Sequence, residues 1–149
     1  MTATNHTITG VIVATVIANP LLALPVALAS HLVLDAMPHF GSKELSHTDK
    51  KFFYIVGVDA FVAATLLLLT AGFQPTNWLL MVACGVTSAS PDLLWLPYWV
   101  AELRGRPKKP SQVYRFLGWI QWCERSWGWT FEAVYFCLAL ILFVPALSS

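Results

Sequence analysis

His31 and Asp35 stand four residues apart at the end of a long apolar run that continues through Pro38 to His39. On a helix that spacing stacks both side chains on one face, where an imidazole and a carboxylate can close on one ion. Pro38 must bend or end the helix, so His39 follows from outside it. Four other polar residues are stranded in apolar sequence: His6, Asp59, Asp92 and Glu132. Imidazoles with carboxylates suit zinc or manganese, and an oxygen-rich subset suits magnesium. The expected ligand set is His6, His31, Asp35, His39, Asp59 and Asp92. These donors suffice for one or two divalent ions, zinc first. His39 or Glu132 then completes the shell or acts as general base toward an activated water.

Energetics points the same way. An aspartate deep in a membrane helix costs about 2.5–3.5 kcal/mol, so Asp35, Asp59, Asp92 and Glu132 unpaired total on the order of 10 kcal/mol. No Lys or Arg lies within the apolar runs to neutralise them. A divalent cation would, since structural zinc supplies roughly 10–16 kcal/mol. Plainer readings exist for each residue. His31 and Asp35 can form a simple hydrogen-bonded pair, Asp92 can satisfy backbone at a Pro91 kink, and Glu132 can snorkel to the interface. His47 and Glu124 read as solvated residues.

The elements that must position these groups follow from composition. Of 149 residues, 57% are hydrophobic and 11% charged, against about 25% charged in a soluble domain. Such a chain has too little polar surface to cover itself in water. A net charge of +1 argues against a nucleic-acid binder. Cys84, Cys123 and Cys137 are isolated and read as packing residues. The first apolar run has no preceding Lys or Arg and no clean cleavage site, so no cleaved signal peptide is expected.

Apolar helices are expected over residues 5–18, 20–37, 48–72, 77–101 and 126–147, with an amphipathic interfacial helix over 111–125. The expected class is all-α, a polytopic membrane bundle of about four to five helices in a single domain. One helix over residues 8–37 would be about 45 Å long, too long for a core of about 30 Å. Two helices turning near Asn19 and Pro20 are therefore preferred over one tilted helix kinked at Pro20 and Pro25. A helix start is expected at Ser46 and Asp49, which have capping-box spacing.

Lys43, Lys50 and Lys51 share one loop, while Arg104, Arg106, Lys108, Lys109 and Arg115 share another. The intervening turn, residues 74–77, is uncharged. Both basic loops are therefore expected on the cytoplasmic side of an inner membrane, beside a belt of Trp95, Trp99, Trp119, Trp122, Trp127 and Trp129. Asp59 and Asp92 then lie roughly 10–12 Å below that surface. His31, Asp35 and Glu132 fall near the same layer, joined by His6 if the first two helices form a hairpin.

At these residues the chain resembles the predicted membrane-bound metal-dependent hydrolases of the YdjM-like family, distantly similar to zinc-dependent phospholipase C and P1 nuclease. The matching pieces are Asn5 and His6 opening the first helix, Ser30 and His31 through Asp35 and Pro38, and Ser90 to Leu93. The order His31, Asp35, Pro38, His39 looks like a shortened phospholipase C signature. The resemblance implies metal-dependent hydrolysis, with a phosphoester of a membrane lipid or a similar phosphorylated amphiphile as substrate. Two other classes fit buried carboxylates: a cation or proton transporter, and a non-catalytic protein whose metal locks the bundle.

Overall fold

The computed structural model describes residues 1–41, 48–106 and 108–148. Ser46 of the expected capping box, together with Lys43 and His47, lies outside them.

Asn19 and Pro20 separate the first two helices. α1 spans Ala3–Val16 and α2 spans Pro20–Asp35. The Asn19 side chain accepts from the Leu21 amide (2.9 Å), and Pro20 fills the first helical position, where its missing N–H costs nothing. The two helices fold back on each other as a hairpin. With 14 and 16 residues they are only about 21 and 24 Å long, short of a membrane core of about 30 Å.

Among the described residues, three segments are long and apolar enough to cross a membrane: Lys50–Phe73, Trp78–Leu103 and Gly128–Ala146. The first is α3 and the last is α7. The middle one comprises α4 (Trp78–Ala89), a 3-10 segment (Ser90–Trp95) and α5 (Leu96–Leu103). The architecture is thus all-helical and of membrane type, with three spanning segments around a short hairpin. α3 stops where Gln74 turns left-handed (φ 50°) just before Pro75.

α1 occupies the centre, packed against α2, α3, α4 and α7. Its Ile8, Val11 and Ala14 join Ala27, Leu66, Met81, Cys84 and Phe143 in the core. Gly10 permits the closest of these approaches, because a Cβ there would overlap the Cys84 carbonyl. Burial is inverted relative to a soluble protein. Thr4, Asn5, His6, Thr7, His31, Asp35 and Glu132 are buried, while Phe61, Leu68, Leu79 and Ile141 face outward. That pattern suits lipid surroundings, which reward apolar exteriors and penalise unpaired polar groups.

The amphipathic helix α6 covers Gln112–Ile120, capped by Ser111, whose Oγ accepts from the Tyr114 amide (3.2 Å). It is shorter than the expected 111–125. Glu124 and Arg125 leave it to form β2, which pairs in parallel with β1 (His39–Phe40). This small sheet straps the end of α2 to the start of α7. Gly128 is required there, since a Cβ would overlap the His39 carbonyl.

Candidate metal centre

α1 begins inside the bundle, where its first amides have no preceding turn to accept from them. Two carboxylates serve them. Asp59 of α3 accepts from Ala3 N (2.7 Å) and Thr4 N (2.9 Å), and its carbonyl accepts from the Thr4 hydroxyl (3.1 Å). Glu132 of α7 accepts from Thr2 N (2.9 Å) and Phe40 N (2.8 Å), with Asn5 Nδ2 at 3.4 Å. Negative charge at a helix N-terminus also opposes the helix dipole favourably. Asp59 and Glu132 therefore act as caps contributed by other helices.

One turn into α1, His6 meets the end of α2. Its ring stacks on that of His31, with centroids 4.0 Å apart and planes inclined by 24°. His6 Nε2 lies 3.1 Å from Asp35 Oδ1. His6, His31 and Asp35 offer donor atoms that all lie within 4.8 Å of one another, and all three residues are buried. This group could hold a metal ion.

The proton on His31 is fixed from the far side. Its Nδ1 lies 2.8 Å from the Ser88 carbonyl, which can only accept, so Nδ1 carries hydrogen. The local sequence provides for this. Pro91 has no N–H to offer the preceding turn, and the Ser90 hydroxyl donates to the Thr87 carbonyl instead (2.8 Å). The helix tightens to 3-10 from Ser90, which carries Asp92 toward α2. A carbonyl-held Nδ1 turns the Nε2 lone pair inward, the usual arrangement behind a metal-ligating imidazole.

His31 Nε2 lies 3.2 Å from Asp35 Oδ2 and 3.9 Å from Asp92 Oδ1. It nevertheless makes no hydrogen bond. A neutral ring presents its Nε2 lone pair to the carboxylate, and a protonated ring forms an ion pair with it. A tetrahedral zinc site with bonds of about 2.0–2.1 Å has donor–donor edges of about 3.3 Å. His6 Nε2 and His31 Nε2 each lie near that distance from one of the two Asp35 oxygens, 3.1 Å from Oδ1 and 3.2 Å from Oδ2. Asp35 has further partners in Met1 N (2.6 Å to Oδ1) and Gln121 Nε2 (3.1 Å to Oδ2).

Of the residues expected to act together, the structure unites His6, His31 and Asp35 and sets Asp92 beside them. Asp59 and Glu132 are engaged by backbone amides of the same layer. His39 sits in the strap: its Nδ1 donates to the Met37 carbonyl (2.8 Å), and its Nε2 faces Glu124 Oε1 at 3.8 Å. Sequence reasoning misses Gln121 and Ser88. Gln121 lies in a stretch that reads as lipid-surface helix, and Ser88 contributes only a carbonyl, which no side-chain pattern reveals.

Comparison with family models, curated proteins and solved structures gave no match to the chain. Fold and site alone define its class: a helical membrane protein with a buried His/Asp group able to take a metal.

Proposed function

We propose that the protein is a membrane-embedded, metal-dependent hydrolase of YdjM-like kind, acting on a phosphoester of a lipid or similar amphiphile. One observation carries the reading: His6, His31 and Asp35, all buried inside an apolar bundle, bring ligand atoms within 4.8 Å of one another. His6, His31 and Asp35 hold the ion, zinc first and manganese or magnesium next. The bound ion would supply a Lewis acid and bring the pKa of water down toward about 7. Asp92 is the open-side carboxylate, its side chain 27% exposed against 0% for His31. It suits a fourth ligand or the group that takes a proton from water. His39 and Glu132, the residues expected in that role, are engaged in the strap and the α1 cap.

Basic residues at one end of the spans (Lys50, Lys51, Arg104, Arg106, Lys108, Lys109 and Arg115) and an uncharged turn at the other support a cytoplasmic-facing site in an inner membrane. Arg104, Arg106 and Arg115 are the cations available to draw in a phosphate.

The test is metal analysis of purified protein together with a lipid-phosphate hydrolysis screen with and without chelator. Stoichiometric metal and chelator-sensitive release of phosphate or headgroup are expected. Bound metal with no turnover on any lipid phosphate overturns the hydrolase. It favours a second reading, a metal that only locks the bundle. That reading has its own support, since Asp35 already accepts from Met1 N and Gln121 Nε2, and the group is wholly buried.

A further inference from the structure

Beside the metal group, α2 and α6 diverge to leave an open groove of about 540 Å³. Its walls are Leu32 and Val33 from α2, Ala36 just after it, Trp119 and Ile120 from α6, and Trp122 beyond α6. The volume lies within the range of small-molecule sites, about 300–1,000 Å³. We propose that this groove is a binding site for one acyl chain of a membrane lipid, and that the chain belongs to the hydrolysed substrate. The second half of the proposal rests on the hydrolase reading. The first does not.

The occupant follows from where the groove lies. Val33, Trp119 and Trp122 are 59%, 72% and 67% exposed, so the walls run without a polar break into the apolar exterior of the bundle. In a membrane protein that exterior meets hydrocarbon, and the ligand available to an apolar groove there is a lipid chain. Trp side chains favour the headgroup boundary, so a chain between Trp119 and Trp122 keeps its ester end near the surface.

One hydrogen bond ties the groove walls to the metal group. Gln121 lies between two wall residues, Ile120 and Trp122, and its Nε2 donates to Asp35 Oδ2 (3.1 Å). Asp35 in turn precedes the wall residue Ala36. The hydrogen bond that joins the two walls therefore ends on a carboxylate of the candidate centre. Without a hydrophobic driving force between lipid and protein, selection here rests on fit between the chain and the two tryptophans.

The test uses full-length protein in phosphatidylethanolamine–phosphatidylglycerol vesicles containing a trace of phosphatidylglycerol with a diazirine in one acyl chain. Cross-links are mapped by peptide mass spectrometry. The outward face of α3 at Phe61 and Leu68 reports bulk lipid. Labelling of the 32–36 and 119–122 peptides is expected to exceed that of α3 several-fold and to fall on competition with unlabelled lipid. Val33→Trp, which fills the groove, is expected to bring it to the α3 level. Trp119→Ala, on the exposed helix, removes a wall and is expected to do the same if Val33→Trp does not fold. Equal labelling of groove and α3 overturns the proposal. Strong groove labelling without chelator-sensitive hydrolysis upholds the acyl-chain site and overturns the assignment of that chain to a substrate.

Discussion

His31 Nε2 and Asp35 Oδ2 face each other at 3.2 Å while the imidazole proton is committed to the Ser88 carbonyl on the opposite nitrogen. An i,i+4 pair on one helix is ordinary. Here the carboxylate also receives the Met1 ammonium on Oδ1 (2.6 Å), so a metal on Asp35 would share or displace that ion pair.

Purified wild-type protein is expected to carry a divalent metal. Asp35→Asn and His31→Ala are expected to lower the metal-to-protein ratio about tenfold or more, since even residues supporting a ligand change affinity by about 10–100-fold. Elemental analysis of monodisperse protein decides this. A ratio unchanged in both variants sinks the site.

Chelation should destabilise the wild type. Metal at about 100 times its dissociation constant adds roughly 2.7 kcal/mol to the folded state. A thermal melt in detergent is therefore expected to shift downward on adding chelator, and Asp35→Asn is expected to show no such shift.

Asp59→Ala separates a cap from a ligand. It leaves the Ala3 and Thr4 amides without acceptors inside the bundle, at a cost of about 2–4 kcal/mol. The melting temperature should fall while metal content per folded molecule holds. Loss of metal from well-folded Asp59→Ala would return Asp59 to the ligand set.

Gly10→Val should prevent assembly of α1 against α4, because its Cβ would meet the Cys84 carbonyl. Overpacking of this kind costs about 1–3 kcal/mol and more when backbone is the obstacle. Gly57→Ala is the control. Nothing lies within 4 Å of a Cβ there, and Ala gains about 1 kcal/mol over Gly in a helix interior.

Much of this is legible in the residues. The i,i+4 spacing of His31 and Asp35 and the break at Asn19 and Pro20 identify two members of the group and the turn that brings in His6. The membrane class follows from 57% hydrophobic residues. The span count does not, because an apolar run of 16 residues reads alike whether it crosses a bilayer or folds back within it. Asp59 and Glu132 read as members of the metal shell for a similar reason. A carboxylate in an apolar run needs a positive partner, and sequence does not distinguish a metal ion from the bare amides of a helix that starts in the interior. Gly10 is a usable signal. With Ala14 four residues later it forms a small-residue stripe on α1, and that stripe serves packing within the chain.

The central position of α1 has a consequence for biogenesis. Its opening amides are received by Asp59 and Glu132, and Glu132 belongs to the final span. α1 precedes α7 along the chain, so the Glu132 half of its cap is available only once α7 has entered the bilayer. Docking on α3 and α4, with the Asp59 cap, does not have to wait for it. The seat of the central helix is closed by the span farthest from it in sequence.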